Sequence, residues 1–168
     1  MTHPLNKRSQ AYVVPLSRIA EMSRVDITQV RIPPGKESFT YHSHQLEDEF
    51  LYILKGKVMA EIDSIDYEVG PGTFMGFPTS SVTHYLRNPF GEELVCLMGG
   101  EQKDVEIADF LKRNKRMYRN GDDISISIID YEHIKDFDTK PLSWPNADMH
   151  RGASRSFSMW RGSEIPQS

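Results

Sequence analysis

The apolar residues of this chain fall in short segments, each closed by turn-forming residues. From about residue 28 to 100 the breaks are Ile32-Pro33-Pro34-Gly35, Lys55-Gly56, Val69-Gly70-Pro71-Gly72, Pro78-Thr79-Ser80-Ser81, Asn88-Pro89-Phe90-Gly91 and Gly99-Gly100. Between them lie Glu49 to Leu54, Lys57 to Ile62, Ile65 to Val69, Thr73 to Phe77, Val82 to Arg87 and Leu94 to Met98, which read as strands. This spacing predicts a mainly β sandwich or small barrel. Phe50-Leu51-Tyr52-Ile53-Leu54 has no polar alternation, so a strand there is expected to be covered on both faces, between two sheets or between a sheet and a partner. A homodimer is therefore expected.

Outside that block the pattern changes. Residues 1–27 read as an N-terminal arm whose one apolar piece, Ala11 to Val14 before Pro15, suits an edge strand or a strand swapped within a dimer. After Gly100 a short helix is expected over roughly Asp104 to Met117. Asp104, Glu106 and Asp109 precede Lys112, Arg113, Lys115 and Arg116, the order that complements a helix macrodipole, and Gly121 supplies a stop. From Ile124 to Ile129 the alternation of Ile and Ser predicts a strand with one buried and one wet face. Beyond about residue 138 periodicity is lost among prolines and serines, leaving a tail ordered by contact, with Trp144, Phe157 and Trp160 as docking candidates. The expected organisation is an arm (1–27), a barrel with a C-terminal extension (28–137) and an irregular tail (138–168).

Composition narrows the functional classes. A chain of 168 residues buries roughly 70% of its unfolded surface, enough for one real core. Its 38% hydrophobic and 26% charged content is that of a globular protein, and no apolar run approaches membrane-spanning length. The opening residues lack the order of a secretory signal, and a single cysteine, Cys96, forms no disulfide within one chain. A cytoplasmic location is expected. Lysine and arginine total 20 against 24 acidic residues, a net charge of −4, which argues against nucleic-acid binding because phosphate neutralisation needs a concentrated basic face. The basic run from Lys112 to Arg119 reads as a solvated helix end. No membrane partner is expected.

His42 and His44 carry the candidate chemistry. In an extended chain residues i and i+2 project from one face, so both imidazoles enter one cavity. Glu49 has the opposite parity, and a turn through Gln45-Leu46-Glu47-Asp48 would reset it and fold the Glu49 strand back beside the histidine strand. His84 arrives from another strand. Three histidines and a carboxylate suit a divalent first-row metal. Taken singly, each has a plainer reading: polar alternation, an acidic turn, a hydrogen-bonded core histidine.

Two spaced motifs resemble those of the cupin superfamily. The first reads Gly35, six residues, His42-Ser43-His44, four residues, Glu49, six residues, Gly56; the second reads Gly72, five residues, Pro78-Thr79-Ser80, three residues, His84, three residues, Asn88. Against the family pattern the first spacer is one residue longer, Ser80 replaces a glycine, and one extra residue precedes His84. The stretch from His42 to Gly56 is similar to small single-domain bacterial cupins. The resemblance implies a double-stranded β-helix, the cupin jelly-roll barrel, holding one divalent transition metal per subunit (Mn, Fe, Ni or Zn) on His42, His44, Glu49 and His84. It also implies open coordination positions for water, dioxygen or a chelating substrate.

On that basis the expected activity is a metal-dependent enzyme acting on a small polar or carbonyl-bearing molecule, of dioxygenase, isomerase or decarboxylase type. Tyr41 and Tyr85 are the sequence's candidates for acid–base help, with Phe39 and Phe77 beside them as pocket-wall or core residues. Two alternatives stand: a non-catalytic module that senses a metal or metabolite, and a metal-free, epimerase-like cupin acting on sugars. Cys96 is expected to pack inertly in a strand. His3, His133 and His150 are assigned no role.

Overall fold

Turn chemistry sets where each strand ends. In a computed structural model, which describes residues 2–80, 82–121, 125–135 and 157–161, the predicted block forms β4 (Glu49–Lys55), β5 (Val58–Ile62), β6 (Ile65–Val69), β7 (Phe74–Phe77), β8 (His84–Arg87) and β9 (Leu94–Glu101). Before it come β1 (Tyr12–Pro15), a four-residue helix α1 (Leu16–Ile19), β2 (Val25–Ile32) and β3 (Ser43–His44); after it come β10 (Val105–Phe110), β11 (Lys115–Asn120), β12 (Ser125–Asp130) and β13 (Ser158–Trp160). Gly56 sits at φ +79°, and a Cβ there would lie 2.6 Å from the Glu93 carbonyl oxygen, so only glycine lets the chain turn this close to its neighbour. The β5–β6 hairpin closes through Asp63 and Ser64, both at positive φ, the two-residue turn that matches strand twist.

Six strands pair in the order β1-β2-β9-β4-β7-β13, four in the order β12-β11-β10-β3, and three in the order β6-β5-β8. Bridges between Glu37 and Arg87 and between His42 and His84 join the last two sheets into one curved layer facing the first. Inward-facing Val30, Ile32, Leu51, Ile53, Val58, Ile62, Met75, Phe77, Leu86 and Leu94 fill the space between the layers as a single cluster. This is the mainly β jelly-roll architecture expected. The arm's Ala11 is fully buried in that cluster, and β1 pairs with the chain's own β2. No helix among the described residues is long and apolar enough to cross a membrane.

Three expectations are corrected. The segment expected as a helix over Asp104 to Met117 is the antiparallel hairpin β10–β11, with only a 3-10 turn at Leu111–Arg113 and Asn114 left-handed at its tip. The order of acids then bases, read as complementing a helix dipole, instead places Glu106 opposite Arg119 and Asp109 opposite Arg116. Among the described residues each base named there has an acidic partner except Arg113: Lys112 with Glu61, Lys115 with Asp130, Arg116 with Asp109, Arg119 with Glu47. Second, β12 forms, but Ile126 and Ile128 are exposed, because it is the edge of its sheet and no described residue covers that face. Third, of the two ways of covering β4, the one between two sheets of the same chain does not hold: within the chain it is fully buried only on its Leu51 and Ile53 side, Phe50 and Tyr52 are half-buried and Leu54 is exposed. Of the tail, β13 pairs with β7 and Phe157 packs near Phe77, while Trp144 lies outside the described residues.

Candidate metal centre

Four strand segments bring the chemical groups together. His42 and His84 exchange backbone hydrogen bonds, His42 N–H to His84 O at 3.2 Å and His84 N–H to His42 O at 2.8 Å, so their strands run side by side. His44, two residues on, shares the face of His42 and pairs with Ala108 of β10. Glu49 comes from the opposite layer. The Gln45–Asp48 segment does not fold the Glu49 strand beside the histidines, as parity alone suggested; it crosses to the six-stranded sheet, where β4 pairs with β9 and β7. That crossing needs Gly100, where a Cβ would stand 2.1 Å from the Asp48 carbonyl oxygen. The longer turn before His84 leaves its position intact: it is 2% exposed and stacked on Phe77, ring centres 3.8 Å apart.

The four side chains converge on one point. Glu49 Oε2 lies 2.8 Å from His84 Nε2, 3.1 Å from His44 Nε2 and 3.9 Å from His42 Nε2, and the Nε2 atoms of His42 and His44 are 3.1 Å apart. The other ring nitrogens fix the tautomers. His42 Nδ1 donates to Thr40 O at 2.6 Å, His84 Nδ1 donates to Val82 O at 2.9 Å, and His44 Nδ1 faces Glu106 Oε1 at 3.3 Å. Carbonyl and carboxylate oxygens only accept, so all three Nε2 atoms turn lone pairs toward the Glu49 carboxylate. Converging lone pairs repel unless a cation sits among them. Donors about 2.1 Å from an ion and about 90° apart are about 3.0 Å from each other, which is the spacing found for three of these contacts. The donor set therefore fits a divalent ion.

Without an ion, protons do that work unevenly. Burial, then the neighbouring His84 and His44, push His42 down to about 3. His44 moves the other way: burial opposes its charge, yet hydrogen bonds to Glu106 and Glu49 outweigh it and raise the imidazole to about 10. Burial also works against the Glu49 anion, but His84 and His44 hold its carboxyl well below the usual carboxylate range. Cys96, fully buried in β9, is pushed up to about 12 by burial and by Glu49, which keeps it an unreactive thiol.

A cavity of about 210 Å³ opens on His44 and Glu49. Val30, Phe39 and Met98 form its apolar wall; Asp26, Asp48 and Glu101 supply carboxylates; Arg18 of α1 and Arg119 of β11 supply cations. Arg119 is tied to Glu47 and to the Lys103 carbonyl, whereas Arg18 has no ion-pair partner among the described residues. Tyr41 and Tyr85 do not reach this cavity. Each neighbours a ligand histidine in sequence, so each points to the opposite side of its strand. There they meet edge to face at 5.7 Å beneath Lys112, which lies 4.1 Å from the Tyr41 ring centre. The Tyr41 hydroxyl is engaged by Ser64 and Thr83, and burial with Glu37 and Glu61 pushes Tyr85 up to about 12. His3 packs edge-on against Phe39 and Phe110, His133 is exposed, and His150 is outside the described residues. Sequence reasoning missed Arg18, Asp26, Glu106 and Arg119. Only the alternation of β10, had it been read as a strand, pointed Glu106 inward.

Comparison with known proteins agrees with this geometry. The family described as cupin domain matches residues 28–100. A solved structure from Acidithiobacillus ferrooxidans, provisionally described as a sugar phosphate isomerase, is 32% identical with a TM-score of 0.77, covering 82% of this chain and 86% of its own. Another, a sugar phosphate isomerase from a cupin superfamily in Silicibacter pomeroyi, is 18% identical with a TM-score of 0.73, covering 82% and 88%, and bears on the fold alone. No curated protein matches.

Proposed function

The chain belongs to the cupin family, and from that premise we propose that it is a divalent-metal-dependent isomerase acting on a small phosphorylated sugar or a similar polyhydroxy carbonyl compound. The observation that carries this reading is the convergence of three tautomer-fixed imidazole lone pairs and one carboxylate at a cavity. His42, His44, Glu49 and His84 would hold the ion, and a bound divalent ion supplies electrophilic polarisation of a carbonyl oxygen. The relative of 32% identity, with its description as a sugar phosphate isomerase, supports the reaction class.

The lining supplies the remaining functions. Asp26 accepts through Oδ1 from Ser17 and Thr28, and Asp48 accepts through Oδ1 from the Thr79 N–H; the second oxygen of each has no hydrogen bond among the described residues. Those oxygens are the groups to accept sugar hydroxyls and to carry a proton. In an aldose–ketose interconversion the proton leaves the carbon beside the carbonyl for a carboxylate and returns at the former carbonyl carbon. The two substrate oxygens exchange the second proton, so nothing is oxidised or reduced overall. Arg18, with Arg119 beside it in the lining, would receive a phosphate, and Val30, Phe39 and Met98 give the cavity its apolar side.

The test is metal analysis of protein purified without chelator. Stripping and reloading with Mn, Fe, Ni or Zn follows, with NMR assay of aldose and ketose phosphates in D2O. Reloading should restore turnover, with deuterium entering the carbon that receives the proton. Tight metal binding with no turnover across the panel would replace the isomerase with a metal-sensing module.

A further inference from the structure

Glu106 lies beyond the residues matched by the cupin domain, on β10, and it is completely buried. A buried carboxylate is costly unless donors surround it. Here one oxygen takes nearly all of them: Oε1 accepts from His44 Nδ1 at 3.3 Å, from the Gln45 N–H at 3.1 Å and from the Leu46 N–H at 3.5 Å, while Oε2 has no hydrogen-bond partner among the described residues. Arg119, its cross-strand neighbour, turns away to Glu47.

The three imidazoles differ in one respect. His42 and His84 rest their Nδ1–H groups on neutral backbone carbonyls, whereas His44 rests its own on a carboxylate. We propose that Glu106 is a positioning residue for the metal centre, an anion held behind His44 that fixes its ring and strengthens Nε2 as a donor to the ion. This inference rests on the metal-dependent reading above. A dication with the Glu49 carboxylate leaves one uncompensated positive charge in a buried place, and Glu106 is the adjacent anion that balances it. Carboxylate–histidine–metal relays of this type commonly carry ten- to a hundredfold in metal affinity.

Glu106→Gln keeps the volume and an acceptor oxygen but removes the charge. Binding of Mn²⁺, followed by the EPR signal of the free ion, should weaken about tenfold to a hundredfold in Glu106→Gln. Glu106→Asp should recover part of the loss. A residue that merely braces the Gln45–Leu46 turn would instead lower melting temperature without changing affinity. If Glu106→Gln does not fold, the unaltered Zn²⁺-loaded protein decides: in imidazole ¹H–¹⁵N spectra the His44 Nδ1 proton should lie well downfield of those of His42 and His84, and coincident shifts overturn the proposal. Unaltered protein that binds no divalent ion overturns the metal reading and this inference together. Normal binding by the unaltered chain with equal binding by Glu106→Gln overturns the inference alone.

Discussion

Adding a divalent ion to stripped protein should raise its melting temperature by an amount that can be worked out in advance. The stripped site holds its converging nitrogens and carboxylate oxygen at 2.8 to 3.1 Å with no ion among them, whereas the loaded site satisfies all four donors at once. An ion that binds the folded chain and not the unfolded one stabilises by about 2.7 kcal/mol at a free concentration a hundred times Kd. For a domain of this size about 2–4 °C accompanies each kcal/mol, so the shift should be about 5–10 °C. Glu49→Gln keeps the shape of the cluster and removes its anion. If that weakens binding a hundredfold, the same ion concentration only equals the new Kd, and the stabilisation falls to about 0.4 kcal/mol, near 1 °C. Circular-dichroism melts of both proteins, with and without Mn, Fe, Ni or Zn and with chelator as the control, measure the difference. Equal shifts in the two proteins would refute the reasoning, since the ion would then be binding somewhere other than between Glu49 and the histidines.

Three further outcomes follow from other parts of the molecule. Asp109 is buried, which favours its neutral form, yet Arg116, Tyr131 and Gln45 together hold its carboxyl below the ordinary value. Its contribution is complete above the unfolded carboxyl range of about pH 4 and vanishes as pH falls through the lower native value. Asp109→Asn should thus cost about 1–3 kcal/mol at pH 7 and progressively less in acid, as urea melts at the two pH values will show; a constant difference refutes the assignment. Gly100→Ala should cost roughly 1–3 kcal/mol or more through overpacking and shrink the metal-induced melting shift, because the new Cβ meets the Asp48 carbonyl and the Glu49 Cα. Native Cys96 should resist a thiol reagent that labels it fully in denaturant, and rapid labelling of the folded protein would contradict its burial.

The strands and the four donors were legible because each is governed by local chemistry. Turn residues end strands wherever they occur, and i, i+2 spacing places His42 and His44 on one face regardless of what surrounds them. The path of Gln45–Asp48 was not legible. Parity showed that Glu49 must be displaced relative to the histidines, but resetting within one sheet and crossing to another satisfy parity equally well; only the close approach of Gly100 to Asp48 selects the crossing. The β10–β11 hairpin was misread for a related reason. Asp109 and Arg116 are seven residues apart, a separation that brings charges to one side of a helix and, with a turn at Asn114, also brings them opposite each other across two strands. Charge order alone carries no information about which.

That ambiguity matters because the hairpin also reaches the site. His42, His44, Glu49 and His84 all lie within residues 28–100, the part that any cupin domain shares, and three of them rest on neighbours from the same part: Thr40 and Val82 behind two rings, Gly100 against the Glu49 backbone. His44 alone is backed from outside it, by Glu106. Arg119, from the same hairpin, and Arg18 and Asp26, from the N-terminal segment, complete the cavity mouth from outside as well. On the proposed reading the shared barrel would account for the grip on an ion, while the groups that would set its charge balance and meet a substrate's polar end come from segments flanking the barrel. Exchanging those flanks between relatives should alter substrate choice more than metal choice. Loss of Glu106 should alter metal affinity as well, because Glu106 is a flanking residue that is hydrogen-bonded to the ligand His44.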